Sequence, residues 1–199
     1  VDLNHMRKTP LKLRFTKMEG TGNDYIYFDC MQYEIPSPES ISVVLSDRHF
    51  SIGSDGIIMI LPSTIADAKM RMFNRDGTEG KMCGNGIRCV AKYVYDNGMT
   101  DKTELTVETG SGVKTLQLQV EDGKVSTVRV CMGSPEFRPA QIPMKAGGEN
   151  FIMRPIEVCG KRWDVTAVSM GNPHAVVFVD NVDWLNLEEI GPAFENHPM

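Results

Sequence analysis

One stretch of this sequence is apolar on nearly every side of a helix, and it constrains the fold more than any other feature. Residues 87–95 carry this pattern, directly after Gly84 and Gly86, and Asn97-Gly98 follows them as a typical left-handed helix stop. A helix without a broad polar face is stable only when other elements cover it. We therefore expect a helix that lies inside a core.

Short strand-like runs supply the elements that can surround this helix. They are rich in β-branched and aromatic residues and are broken by Gly, Asn, Asp or Pro. These runs are residues 11–15, 25–28, 57–61, 68–73, three segments within 104–130, then 151–158, 163–168 and 175–179. A short amphipathic helix is predicted over 39–48 with Ser37 as its cap, and another helix begins at 185–194. The prediction is many short strands wrapped around few helices.

Composition excludes several classes of function. Of the 199 residues, 41% are hydrophobic and 24% charged, which is typical of a globular protein. The net charge is -5 and the Lys and Arg residues are scattered, so we expect no nucleic-acid partner. No run approaches the roughly 18 apolar residues of a membrane span, so we expect no membrane partner and a cytoplasmic location. The sequence contains no Cys-x-x-Cys pair of the kind that indicates a metal site.

Cys83 is the strongest candidate for chemistry. It stands at the start of the predicted buried helix, where unpaired backbone N–H groups and the helix dipole stabilise a thiolate. The neighbouring glycines also let a ligand approach amides that can hold a carboxylate. The alternative is a small buried hydrophobe at a tight turn, which is what most Cys residues are. The glycine setting favours a reactive thiol.

Four further polar residues lie in predicted loop tips or at a strand entrance. Asn23, Asn74 and Asn172 each offer an amide donor and acceptor for an amino acid, although each is also a common turn residue. His174 precedes an apolar strand and is a candidate to steady the charge of a thiol, or else a structural histidine. The remaining cysteines are interpreted as packing residues: Cys30, Cys89, Cys131 and Cys159.

Five segments in a fixed order resemble diaminopimelate epimerases. They are residues 15–25, 48–56, 73–79, 82–89 and 169–174. The resemblance implies two similar lobes, each a strand-rich barrel around a central helix. It therefore implies the α+β class, with a first lobe over residues 6–130 that carries the catalytic Cys and an incomplete second lobe over 131–199. Residues 1–5 have no periodicity and are left out.

The resemblance also implies an activity. Such enzymes interconvert LL- and meso-diaminopimelate, in lysine and cell-wall biosynthesis, without pyridoxal phosphate, metal or any other cofactor. Two Cys on opposite faces of the α-carbon exchange its proton. Carried over by matching motif, the site residues are Cys83 as one base, His174 beside the reacting centre, and Asn23, Asn74, Gly84, Asn85 and Asn172 as substrate contacts.

Two departures from the family pattern stand out. Many members have Gln where this sequence has Gly56. The family also continues into a second Cys-Gly-Ser-Gly turn, whereas this sequence stops at Met199, so we expect these 199 residues alone to lack two-base activity. No other Cys in the sequence has the required glycine context.

Three alternatives stay open at this point. One is an isomerase of the same fold acting on another substrate, such as a proline-racemase-like or phenazine-biosynthesis-like protein. Another is a non-catalytic remnant that binds an amino acid or assembles with a partner. The third is a hydrolase using Cys83 and His174. Homodimers are common in the family, so the resemblance makes a homodimer one expectation.

Overall fold

The computed structural model describes residues 12–199, which form two compact units with their boundary between Cys131 and Met132. The first unit holds eight strands and two helices. They are β1 Thr16–Gly20, β2 Asn23–Asp29, α1 Pro38–Leu45, β3 Gly56–Leu61, β4 Ala68–Asn74, β5 Glu79–Gly80, α2 Gly84–Asp96, β6 Glu104–Thr109, β7 Gly112–Glu121 and β8 Lys124–Val130.

The eight strands of the first unit form one mixed sheet. Its order is β1-β2-β3-β4-β6-β7-β8, with the two-residue β5 paired to β4. The β2–β3 and β4–β6 pairs are parallel, and all the others are antiparallel. This architecture confirms the α+β class and the strand-rich lobe.

Helix α2 packs against one face of this sheet and contacts β1, β2, β4, β6, β7 and β8. Every residue from Gly84 to Asp96 is buried or half-buried, and Ile87, Val90, Ala91 and Val94 are within about one per cent of complete burial. The predicted buried helix is confirmed. The helix is stable because its apolar side chains are removed from water by packing against the strands.

The two faces of the sheet pack into separate cores, and β2 shows how the sequence divides them. Alternate residues of a strand point to opposite faces. Tyr25 and Tyr27 point into the core around α2. Ile26 and Phe28 point into a second core with Ile41 and Leu45 of α1. Consequently the odd-numbered side chains of β2, beginning with Asn23, face α2.

The first hairpin differs from the sequence prediction. We predicted a strand at 11–15 and a six-residue turn, whereas β1 begins at Thr16 and pairs as far as Gly20 with Asn23. Leu11 lies outside the described residues. The turn is therefore only Thr21-Gly22, because the polar residues Glu19 and Asp24 belong to the strand pairing. Alternation alone cannot locate such a pairing register.

The second unit is an antiparallel sheet of three strands in the order β11-β10-β9. These are β9 Arg154–Val158, β10 Lys161–Ser169 and β11 Pro173–Val177, followed by helix α3 Leu187–Glu195. The core joins Phe151, Val165 and Trp163, whose ring meets Phe194 of the helix edge-on at 5.6 Å. The predicted strands and the final helix are confirmed, with shifted bounds.

Two cysteine interpretations were wrong. Cys131 and Cys159 are exposed rather than packed, because Cys131 follows the end of β8 and Cys159 lies in the tight turn between β9 and β10 with φ +52°. Cys30 and Cys89 are buried as predicted. Within residues 12–199, none of the helices has the length and apolar character needed to cross a membrane.

Candidate active site

Cys83 is the N-cap residue of α2. Its backbone is extended, with φ −137° and ψ 113°, and its Sγ accepts a hydrogen bond from the N–H of Gly86 at 3.3 Å. The N–H groups of Gly84 and Asn85 belong to the first helical turn, which offers them no intrahelical acceptor. The half-buried sulfur therefore lies beside donors and the positive end of the helix dipole, which together stabilise negative charge.

The β1–β2 hairpin supplies a second donor to Cys83. Asn23, the first residue of β2, directs its Nδ2 to Cys83 Sγ at 3.6 Å. The hairpin also touches the helix start, because a Cβ placed on Gly20 would lie 3.0 Å from the carbonyl oxygen of Asn85. Glycine at this position is what allows the close approach.

Tyr25 is a site residue that the sequence analysis missed. It is two residues after Asn23 on the same face of β2, and only 4% of its surface is exposed. Burial, and next the charge of the neighbouring Cys83, raise the pKa of Tyr25 to about 12. Its hydroxyl thus stays protonated at neutral pH. The signal that could have found it is the alternation of β2, which places residues 23, 25 and 27 on one face.

A cluster of charged side chains fixes the start of β2. Arg48 donates to Asp24 at 2.6 Å and to Asp55 at 3.0 Å, and Lys17 lies 2.9 Å from Asp24. The hydrogen bond from Arg48 holds the pKa of Asp24 well below its ordinary value, burial opposes this shift, and Lys17 adds to it. Because Asp24 follows Asn23 directly, the cluster anchors the residue that reaches Cys83.

Asn74 and Asn23 lie at the same end of neighbouring strands. β2 and β3 run parallel and begin at this end, and β4 runs antiparallel to β3 and ends there with Asn74 opposite Gly56. The Nδ2 of Asn74 donates to Thr78 Oγ1 at 3.0 Å within its own turn. Buried Ser42 of α1 holds this strand end by donating to the Asn74 carbonyl at 2.8 Å.

The backbone at position 56 requires glycine. Its φ is +152°, and a Cβ there would lie 2.1 Å from the carbonyl oxygen of Phe73 and 2.9 Å from the Tyr25 ring. No side chain fits at this position without moving β3 or β4.

Asn172 and His174 belong to the second unit. Asn172 lies in the turn between β10 and β11, where its carbonyl accepts from the N–H of Met170 at 3.2 Å. His174 is exposed in β11 opposite Val168, and it borders a cavity of about 440 Å³ whose walls include Ile156 and Phe194. The candidate residues that the structure brings together directly are thus Cys83, Gly84, Asn85 and Asn23.

Comparison with known proteins identifies what this chain resembles. The family model described as diaminopimelate epimerase matches residues 15–138. The chain is 54% identical over 187 residues to the diaminopimelate epimerase of Acetivibrio thermocellus and 55% identical over 194 residues to that of Agathobacter rectalis. Each match covers 94% of this chain and 67% or 68% of the relative. The chain therefore spans about two thirds of the length of these relatives.

A solved structure shows the same fold at low sequence identity. The probable proline racemase from Agrobacterium radiobacter K84 superposes with a TM-score of 0.67 at 15% identity, covering 87% of this chain and 54% of that protein. At this identity the similarity concerns the fold alone. The functional argument depends instead on the 54–55% sequence identity to the two diaminopimelate epimerases.

Proposed function

The chain belongs to the diaminopimelate epimerase family, and from this premise we propose that it acts in the interconversion of LL- and meso-diaminopimelate, with Cys83 as one of the two groups that move the α-proton. The reaction is an isomerisation that needs no cofactor in this proposal. Among the alternatives from the sequence, the identity of 54–55% to diaminopimelate epimerases favours this substrate over proline or a phenazine precursor.

The observation that carries the proposal is the setting of the Cys83 sulfur. Two donors, the Gly86 N–H at 3.3 Å and the Asn23 amide at 3.6 Å, point at an atom that sits at the positive end of a buried helix. Donors and a helix N-terminus around the sulfur are the setting in which cysteines commonly react. A thiolate in a partly water-excluded site is a base suited to a carbon acid.

The proposed proton transfer is balanced on the substrate carbon. The Cys83 thiolate takes the α-proton and becomes a thiol, and the electron pair of the C–H bond stays on the α-carbon. An acid on the opposite face then gives its proton to that carbon and inverts the configuration. In the reverse direction the two groups exchange roles. We assign only Cys83, because none of the other four cysteines stands at the start of a helix.

The substrate carboxylate beside the reacting carbon is proposed to lie at the start of α2. The N–H groups of Gly84 and Asn85 lie in the first turn without an intrahelical acceptor, and such groups commonly bind an anion. Hydrogen bonds to this carboxylate strengthen as negative charge collects on it during proton removal. They therefore lower the barrier rather than only binding the substrate.

The remaining roles are proposals carried over from the family motifs. Asn23 and Asn74, which lie at the same end of neighbouring strands, are proposed to bind polar groups of diaminopimelate together with Asn172. His174 is proposed to lie beside the reacting centre. The proposed location is the cytoplasm, where thiols persist in reduced form, and the five cysteines are all free.

The test is isotope exchange with a choice of substrates. The protein is incubated in deuterium oxide with LL-diaminopimelate, and in parallel with L-proline, and the amino acids are analysed by mass spectrometry and chiral chromatography. We expect α-deuterium in diaminopimelate, since Cys83 alone can remove and return the α-proton, and none in proline; formation of the meso isomer requires the acid on the opposite face as well. Exchange in proline alone, or in neither amino acid, would overturn the proposal.

A further inference from the structure

The tip of the β1–β2 hairpin has a strained backbone. The turn consists of Thr21 with φ +58° and Gly22 with φ +78°, and the strands pair directly on either side of it. Two-residue turns with positive φ at both positions favour Gly and Asn. A β-branched residue in this region is an outlier that persists only where its surroundings hold it. Thr21 is therefore held in place by something else in the structure.

Arg88 of α2 is the residue that holds it. Its Nη2 donates to Thr21 Oγ1 at 2.9 Å and also to Asn85 Oδ1 at 2.6 Å. Both acceptors are neutral, and within residues 12–199 no carboxylate lies within salt-bridge distance of Arg88. The guanidinium thus ties the hairpin tip to the first turn of α2. We name this arrangement of Thr21, Asn85 and Arg88 the hairpin clamp.

The clamp lies next to the groups that face the sulfur. Gly20, on one side of the turn, packs against the Asn85 carbonyl, and Asn23, on the other side, donates to Cys83. Glu19 supports the same turn by accepting from the N–H of Gly22 at 2.8 Å. A shift of the tip away from α2 would therefore lengthen the Asn23–Cys83 contact, since only Gly22 separates Asn23 from Thr21.

We propose that Arg88 is a positioning residue that holds the strained Thr21 tip on α2 and thereby keeps the Asn23 amide on Cys83. This inference rests on the proposed role of Cys83 as the group that moves the proton. Arg88 itself acts through the hairpin and not on the substrate.

A double-mutant cycle tests the proposal. The variants are Arg88→Ala, Thr21→Gly and the two combined, with Arg129→Ala, which removes an exposed arginine of β8, as the matched control. Glycine adopts the positive φ without strain, so the tip in Thr21→Gly no longer needs the clamp. The readout is the rate of Cys83 alkylation by iodoacetamide across pH, followed by peptide mass spectrometry, because the thiolate is the reacting form.

We expect Arg88→Ala to slow Cys83 alkylation at neutral pH roughly 5- to 10-fold, because the Asn23 amide is displaced from the sulfur but not removed. Thr21→Gly should restore most of this rate when combined with Arg88→Ala, and Arg129→Ala should match the parent protein. An unchanged alkylation rate in Arg88→Ala would overturn the proposal. A loss of rate on Arg88→Ala that is equally large in the parent protein and in the Thr21→Gly variant would overturn it too.

Buried Cys30 reports on folding in the same experiment, since it stays protected from the reagent while the first unit is folded. If Arg88→Ala exposes Cys30, Arg88→Lys takes its place in the cycle, because lysine keeps the charge but loses the planar fork. The two proposals fail separately. Absence of α-deuterium exchange by the parent protein would contradict the proposed function, whereas a cycle without coupling would contradict only the clamp.

Discussion

Helices α1 and α2 of the first unit differ in how their N-cap residues act. Ser37 at α1 is a residue type that caps helices well, and Cys83 at α2 is not. In the structure the outcome is reversed. Ser37 adopts φ +48° and its side chain makes no capping hydrogen bond, whereas the extended Cys83 accepts one from Gly86. Ser37 is therefore the N-cap residue of α1, as the sequence predicted, but its side chain contributes no capping hydrogen bond.

The difference lies in what surrounds each helix start. Ser37 is exposed, and of the residues of α1 only Ser42 is buried. Cys83 stands between a hairpin, a strand edge and the core, where Asn23 adds a second donor. A helix start becomes a chemical site when neighbouring elements exclude water and supply further donors. The identity of the cap residue then decides which chemistry is available.

The largest expected effect comes from removing the reactive cap. Cys83→Ala should lower the rate of α-deuterium exchange in diaminopimelate by about 10³-fold or more, because general acid–base groups contribute on this scale. Ser37→Ala is the matched control at the other helix start and should leave the rate within about twofold. Equal effects of the two substitutions would remove the distinction between the two helix starts.

A smaller loss is expected when the hairpin is pushed away from α2. A methyl group on residue 20 would lie 3.0 Å from the Asn85 carbonyl, so Gly20→Ala must displace the hairpin or the helix start. We expect a loss of exchange rate of about 10²-fold, as small misplacements in active sites produce. Gly147→Ala, where a Cβ meets no atom within 4 Å, is the control and should show no loss. An unaffected Gly20→Ala variant would show that the close approach is unimportant.

A still smaller effect is expected when Asn23, the second donor to Cys83, is removed. Asn23→Ala deletes the amide that reaches Cys83 Sγ and should slow Cys83 alkylation about 10-fold at neutral pH, the effect of one hydrogen bond to a charged group. Exposed Cys131 and Cys159 in the same sample serve as internal standards. A rate for Cys83 that stays constant relative to these two thiols would mean that Asn23 does not stabilise the thiolate.

The smallest effect concerns stability at acid pH. The pKa of Asp24 is lowered, chiefly by the hydrogen bond from Arg48, so its stabilising contribution is present above the ordinary value of 3.8 and is lost as pH falls through the lower folded value. The parent protein should therefore lose stability more steeply below about pH 4 than Asp24→Asn. Urea unfolding at several pH values measures this difference. Parallel pH dependences would show that the Arg48–Asp24 pair contributes nothing.

The sequence predicted the parts of this site that depend on local pattern. Residues 84–98 specify α2 through their glycines and apolar run, and the structure confirms it. The strand bounds around Asn74 followed from the turn residues after β4. These features need only neighbours along the chain.

The missed parts depend on contacts between distant segments. Tyr25 faces Cys83 because of how β2 packs on α2, and the position of β1 follows from its pairing with β2. The contact between Thr21 and Arg88 joins residues 67 positions apart. Local propensity carries no information about such register or tertiary contacts, which is why the hairpin was placed too early and the clamp was not foreseen.

The most direct test of the central claim is to follow enzyme inactivation and Cys83 modification in the same sample. Iodoacetamide is added, and α-deuterium exchange in diaminopimelate is compared over time with the alkylated fraction of each cysteine. The account predicts that exchange falls in proportion to alkylation of Cys83, that diaminopimelate slows both, and that alkylation of Cys131 and Cys159 has no effect. Exchange that survives complete alkylation of Cys83 would contradict the account.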